Sequence, residues 1–480
     1  MAKQAEKQIL EFNNFLSGLA ESPFAGIKGS FAKAVGIDYR SIPGIIKAHQ
    51  KLKKDSGTTI TELITCVVHT SSGWAYFFGG SGGIYKRTAA GVWSKLGTVT
   101  GTPKILGCAE HSDGYVYFTY SSKVGRIKIS DDAITESWND LTNANTNYGP
   151  VIYHEARDSI FIGNQELVAK VSAASAFTAN ALDLQAKYEI RDLAPYDIDV
   201  LVGATNKGPV SSSMIFQWDG TSTTWDYSWL FGEKIKWMLN KQEEIYILGS
   251  DTAKIYKFGD LSDPEKQVPG DYTSAAIFES NPNAKCIYDG LILFGLHDGS
   301  TGNPAPNGVY SYGTKDKEKF PKALSCDYPI SSGDLDGLQI GCVSTNGSNL
   351  FVSWKDKAGT TYGVDVIDFS NKYASAYIEF LVMRLDRYIL KTFDRFPCAF
   401  KPLPASCTLA LKRKVDFASS WSSAIATVNT ENATDDLGAF KGDSVPDGYT
   451  IQLRLEFGVN SNNSPEVENL GIVWIFHAFE

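Results

Sequence analysis

No stretch of this chain approaches the roughly 18 consecutive apolar residues that a helix needs to cross a bilayer, so membrane insertion is not expected. A basic excess is missing too. Lys and Arg number 45 against 54 Asp and Glu, and the net charge of −9 is spread along the chain. Nucleic-acid binders usually carry a basic patch or stripe, so specific nucleic-acid binding is not expected either. The densest basic run, Lys47 to Lys54 with Lys51 and Lys53 inside it, reads as the solvated face of a strand or loop. Met1 to Ala20 lack the unbroken apolar core of a secretory signal, which points to a protein made and used without export.

Motifs that carry chemistry are equally scarce. There is no CxxC pair among the 7 cysteines, and most sit in apolar strand contexts such as Gly107-Cys108-Ala109. Buried free thiols are expected, not a disulfide or zinc framework. None of the 6 histidines shows HxH or HExxH spacing. There is no Gly-x-Ser-x-Gly elbow and no Walker loop. The glycine-rich Gly79-Gly80-Ser81-Gly82-Gly83 lies between two strands, so it reads as a hairpin and not as a phosphate cradle before a helix. Adjacent carboxylates occur at Asp131/Asp132, Glu243/Glu244, Asp334/Asp336 and Asp435/Asp436, but Asx-type turns explain them first. The expectation is a protein without catalytic residues, cofactor or metal.

Only 4 methionines accompany 43 glycines and 59 Phe, Tyr and Trp, a mix that favours strands and tight turns over helices. From about residue 59 a degenerate unit repeats at roughly 40–50 residues. An apolar strand crosses a Gly, Asp or Asn turn into an aromatic strand, then come a third strand and a more polar fourth. The first unit runs through Leu63–Val68, Trp74–Phe78, Gly83–Arg87 and Val92–Leu96, and the second from Ile105 to Trp138. Further units begin near Gly149, Ile190, Ile235, Ala284 and Leu338, about seven in all. Four short strands per unit at this period predict an all-β chain built as a β-propeller, whose blades cover each other by radial stacking. In the first blade Tyr76 and Phe78 should share one face, with Phe77 on the other. His69, His111 and His154 recur once per blade at equivalent strand ends. They could converge on an axial channel and hold a metal, but repeated turn-side residues are the simpler reading.

The ends read differently. Ile9, Phe12, Phe15, Leu16 and Leu19 fall near helical spacing, which predicts a short N-terminal helix ended by Ser22-Pro23. Residues 24–58 form an extended, glycine-broken arm with too little apolar content to fold alone, and it should add strands to blades or to a neighbouring subunit. The expected divisions are 1–58 for helix and arm, 59–383 for the propeller and 384–480 for a C-terminal β-sandwich or jelly-roll-like domain with longer strands. Trp218, Trp225 and Trp229 cluster around Tyr227; blade packing is the simpler reading, and a surface aromatic patch that could bind glycans is the alternative. The run Ile472, Val473, Trp474, Ile475, Phe476 is apolar on both faces. The propeller can cover only one, so Ile472, Trp474 and Phe476 are candidate subunit-interface residues in a homo-oligomeric ring.

Several longer segments also carry a resemblance. The arm contains Asp38, Ser41, Pro43, Gly44 and Ile45 in a D-x-x-S-x-PGI pattern, followed by Ser56 to Thr59. Further segments are PGDYTSAA from Pro269, ILFGLHDGSTGNPAPNGVYSYG from Ile292, YGVDVIDFSNKYASAYIE from Tyr362 and SPEVENLGI from Ser464. Together they resemble a family of tailed-bacteriophage virion structural proteins, and the size and class are similar to the propeller-bearing nozzle, or tail tubular, proteins of short-tailed phages. The chain departs from the nozzle pattern in having no obvious second insertion domain within the propeller. The resemblance implies a non-enzymatic tail protein located in the virion, in contact with other tail proteins and with copies of itself. It also implies a role in tail assembly and in passage of genomic DNA without specific binding. A receptor- or glycan-binding tail-fibre propeller and a propeller glycosidase are the alternatives.

Overall fold

A computed structural model describes residues 7–476 apart from 146, 174–175, 209–211, 250–252, 269–277, 299–306, 316–321, 333–337, 357, 385–388 and 432–446. The described chain is almost wholly β. Five antiparallel four-stranded sheets follow one another in sequence order, from Ile64–His69 to Lys266–Gln267. A further group comprises Lys285–Tyr288, Leu291–Asp298, Gly308–Gly313 and Ala323–Pro329. The last sheet is Gln339–Asn346, Asn349–Lys355 and Tyr362–Lys372, completed on its outer side by Gln50–Lys54 from the arm. The first strand of each sheet packs against the first strand of the next, and Gln339–Asn346 returns to Ile64–His69. That closed, propeller-like order puts the first strands at the centre.

Side-chain alternation explains the stacking. Tyr76 and Phe78 enter a core shared with Val116 and Phe118 of the next sheet, and the Phe78 and Phe118 ring centroids lie 5.2 Å apart. Phe77 faces the other way, into a core with Phe351 of the last sheet. A strand buried on both faces carries apolar residues at every position, as Ala75–Gly79 does.

The arm is sheet, not a loose strap. Within Gln50–Lys54, Leu52 points into the core while Lys53 and Lys54 face solvent, so the basic run is a solvated strand face. Lys33–Val35 runs parallel to Ala323–Pro329 and antiparallel to Ala376–Glu379, which pairs in turn with Ile451–Gly458. One sheet therefore continues from the propeller-like region into the C-terminal region. There, Ile451, Leu453, Leu455 and Phe457 alternate inward and share a core with Leu470, Ile472 and Trp474 of a second sheet.

The N-terminal helix is corrected. Lys7–Phe12 is a strand paired antiparallel with the Val467–Phe476 strand, Lys7 opposite Ile475 and Phe12 opposite Leu470. Leu10 and Phe12 pack on the core with period two while Ile9 is 57% exposed. A partner some 460 residues away overrides the helical spacing.

Candidate functional site

At the centre, the first strands meet a segment that crosses between them. The Asn283 side-chain amide donates to the carbonyls of Thr65 at 3.0 Å and Leu106 at 2.9 Å, in the first and second sheets. The Asn283 backbone carbonyl accepts from Val343 N–H of the last sheet at 3.1 Å. Two residues on, Lys285 forms a buried ion pair with Asp192 of the fourth sheet, and Asp192 also accepts from Met238 N–H at 2.6 Å. Burial pushes the Asp192 carboxyl up and the Lys285 ammonium down, and each is the charge that opposes the other's shift. Residues 281–285 thus bridge the first, second, fourth and last sheets.

Cys66, Cys108, Cys286 and Cys342 sit on these central strands, and all 7 cysteines are free. Burial pushes the Cys342 thiol up to about 12 and the Cys108 thiol well above its usual value, where a hydrogen bond with Cys66 adds to the effect. Such thiols stay protonated and unreactive. Among the described residues no three His, Cys, Asp or Glu side chains come together to hold a metal ion.

His69, His111 and His154 do occupy one register position, the last residue of the first strand in three successive sheets. They do not converge. His111 Nδ1 accepts from Asp113 N–H at 3.1 Å, which leaves Nε2–H to donate to Asp158 O at 3.1 Å in the following sheet. His154 Nε2 meets Asp199 O at 2.9 Å in the same way, and His69 Nε2 meets Ser344 Oγ at 3.0 Å in the last sheet. Burial, with Arg87 nearby, holds His69 at about 4, so it stays neutral. The repeated histidine is a tie between neighbouring sheets.

The glycine-rich hairpin holds something that local reading missed. The Glu62 carboxylate, 19 residues upstream, accepts from Ser81 N–H and, at 2.9 Å, from Tyr85 O–H. A Cβ at Gly79 or Gly83 would lie 2.1 Å from a Glu62 oxygen. The loop does cradle an anion, but the anion is the chain's own. The described carboxylate pairs are also engaged. Asp132 accepts from Lys86 at 2.8 Å and from Tyr76 O–H, and Glu244 from Lys257 at 2.7 Å and Tyr246 O–H. Asp334, Asp336, Asp435 and Asp436 lie outside the described residues.

The tryptophan cluster divides between core and surface. Trp218 is fully buried, with its indole N–H donating to Ser222 O at 2.7 Å and its ring edge-on to Phe161 of the previous sheet. It belongs to the packing between sheets. Trp225 and Trp229 are half-buried against Phe216 and Phe258. The exposed apolar residues of this segment are instead Tyr227, at 63%, and Leu230, at 68%. Ile472 and Trp474 are likewise buried inside one chain, and Phe476 is half-exposed. The strand Val467–Phe476 is internal, flanked by Lys7–Phe12 on one edge and by Lys391–Arg395 and Cys398–Phe400 on the other. Within one chain Ile472, Val473 and Trp474 are covered, while Ile475 and Phe476 stay half-exposed.

The arm motif has the densest polar contacts. The Asp38 carboxylate accepts from the N–H groups of Arg40, at 3.2 Å, and Ser41, at 3.0 Å, and so fixes the turn. Arg40 then reaches under the surface, donating to Asp327 at 2.9 Å, Ser311 Oγ at 2.6 Å and Ala323 O at 2.7 Å. Both side chains of the Arg40–Asp327 pair are nearly buried, and Tyr39 O–H donates to Ser325 Oγ at 3.0 Å beside them.

No family model and no curated protein matches the chain. Solved structures similar to it include the WD40 repeats of RRP9, at 14% identity over 66% of this chain and 99% of that one, with a TM-score of 0.45. The Cps50 (Swd1) β-propeller domain of Myceliophteria thermophila matches at 10% identity over 66% and 100%, with a TM-score of 0.46. A streptogramin B lyase matches at 10% identity over 66% and 97%, with a TM-score of 0.39. The strand pairings above carry the description of the fold.

Proposed function

We propose that the chain is a non-enzymatic structural component of a tailed-phage virion, working in the tail with other tail proteins and with copies of itself. In this reading its propeller has seven blades, and the C-terminal region is a β-sandwich-like domain. The observation that carries the reading is the arm. Lys33–Val35 splices the sheet of Ala323–Pro329 to that of Ala376–Glu379 and Ile451–Gly458, and Gln50–Lys54 completes the last sheet. Two modules joined by continuous hydrogen-bonded sheet make one stiff body, which an assembly part needs and a soluble binding module does not. The arm residues that resemble the virion family, Asp38 and Ser41 among them, form the turn that presents Arg40 to Asp327.

The bridged centre shapes the rest of the reading. With Asn283 and Lys285 bridging the axis, genomic DNA would pass between subunits and not along one propeller. The −9 net charge suits a surface from which exiting DNA must not stick. Quantitative mass spectrometry of purified particles of the phage tests the proposal. The expected result is several copies per particle that survive a high-salt wash. A chain that stays in the soluble lysate and is missing from particles overturns it.

A further inference from the structure

The outer edges of the four-stranded sheets are protected in all but one case. An exposed sheet edge offers unpaired N–H and C=O groups to any passing strand, and folded proteins blunt it with charges, bulges, very short strands or a cover. Here Trp93–Thr98 carries Lys95 and a bulge against Gly83–Arg87. Ala133–Asp140 carries Glu136 and a register shift, and Ala176–Asp183 has two shifts and ends on Asp183. Lys266–Gln267 is two residues long. Ala323–Pro329 is covered by Lys33–Val35, and Gln50–Lys54 carries three lysines.

Tyr227–Phe231, the outer strand of the fourth sheet, has none of these devices. Its sequence YSWLF is uncharged, and its pairing with Ser213–Gln217 is unbroken over five residues. Among the described residues no strand pairs its outer edge. The same strand holds the two most exposed large apolar side chains of the described chain, Leu230 and Tyr227. Missing edge protection and exposed apolar bulk are separate observations, and they coincide on one strand.

We infer that Tyr227–Phe231 is a self-association edge, which pairs antiparallel with the same strand of a second copy across a two-fold axis. The strand suits itself as a partner. Pairing centred on Trp229 sets Tyr227 of one copy opposite Phe231 of the other, and Ser228 opposite Leu230. No like charges then oppose each other, and both exposed residues gain a neighbour. A two-fold contact satisfies both edges at once and leaves no open end, whereas a head-to-tail contact would need a second, different edge. This deepens the self-association part of the proposed function, and its test needs no virion.

The test is sedimentation velocity of the full chain over a range of concentrations, with hydrogen exchange followed at the 227–231 amides. The wild type should form an even-numbered species, and those amides should gain protection as concentration rises. Leu230→Lys and Tyr227→Lys each place a charge on the edge at an exposed site. Each should weaken association by roughly thirtyfold or more and leave the circular dichroism unchanged, while Leu230→Ile should associate like the wild type. A wild type that is monomeric throughout overturns the inference. So does an assembly that both lysine variants leave intact, or one in which the 227–231 amides exchange freely. A ring indifferent to both lysines would sink the edge and leave the virion reading standing, and absence from particles would do the reverse.

Discussion

Arg40 and Asp327 show how much one residue pair can hold. Both side chains are almost out of water, and Arg40 also donates to Ser311 and Ala323. Removing one partner leaves a buried charge without its counter-charge, which typically costs about 3–5 kcal/mol. Asp327→Asn should therefore lower the denaturant midpoint and open residues 24–58 to limited proteolysis. A variant with an unchanged midpoint and a protected arm would show that the pair does not anchor it. Asp38 gives the pH dependence. Burial raises its carboxyl, but the neighbouring His49, hydrogen bonds from Ser41 and the charge of Lys47 outweigh that and hold it at about 2, against 3.8 when exposed. A depressed acid stabilises above its unfolded value and loses that contribution as pH falls through its folded one. The contribution, about 2 kcal/mol, should be intact above pH 4 and should fade between about pH 4 and 2. Asp38→Asn should flatten stability against pH in that window, measured by urea unfolding. Gly83→Ala would drive a Cβ into the Glu62 carboxylate and should destabilise by roughly 1–3 kcal/mol.

At the scale of elements, legibility followed the range of the interactions. The strand pair Trp74–Phe78 could be read from alternation alone, because Tyr76, Phe77 and Phe78 each contact a sheet next to their own. The short N-terminal strand could not, because Lys7–Phe12 takes its form from Val467–Phe476 at the opposite end of the chain. Trp218 was legible as blade packing, but its partner was not. Its burial depends on Phe161 of the previous sheet, and no local pattern names that partner. The Gly79–Gly83 hairpin was legible as a hairpin, but Glu62 inside it was not, since a carboxylate 19 residues away carries no signal in the loop. The arm was legible as strand seeking a sheet, and it supplies both Lys33–Val35 and Gln50–Lys54. Deleting residues 1–58 should therefore expose the edges of Tyr362–Lys372 and Ala323–Pro329 and yield aggregated protein. A truncated chain that is soluble and melts like the full one would contradict this.

For the whole molecule, the repeat of four-strand units was readable, while the contents of its centre were not. Asn283 and Lys285 look like ordinary polar residues ahead of a strand, and only the closed arrangement brings them to Thr65, Leu106 and Asp192. The site chemistry proved to be internal: histidines tie sheets, a glycine loop wraps Glu62, and buried cysteines are capped as thiols. Among the described residues, the arm is locked to both regions, and Tyr227–Phe231 is an uncharged outer edge of the fourth sheet. The proposed role as a rigid tail component requires the arm to hold the propeller and the C-terminal sheets together as one body. Cryo-electron microscopy of the phage tail is the test. The expected result is repeated copies in which continuous density runs from the propeller through Lys33–Val35 into the C-terminal sheets, with residues 281–285 bridging each propeller centre. Tails without such density, or copies whose two modules swing independently about an undocked arm, would contradict it.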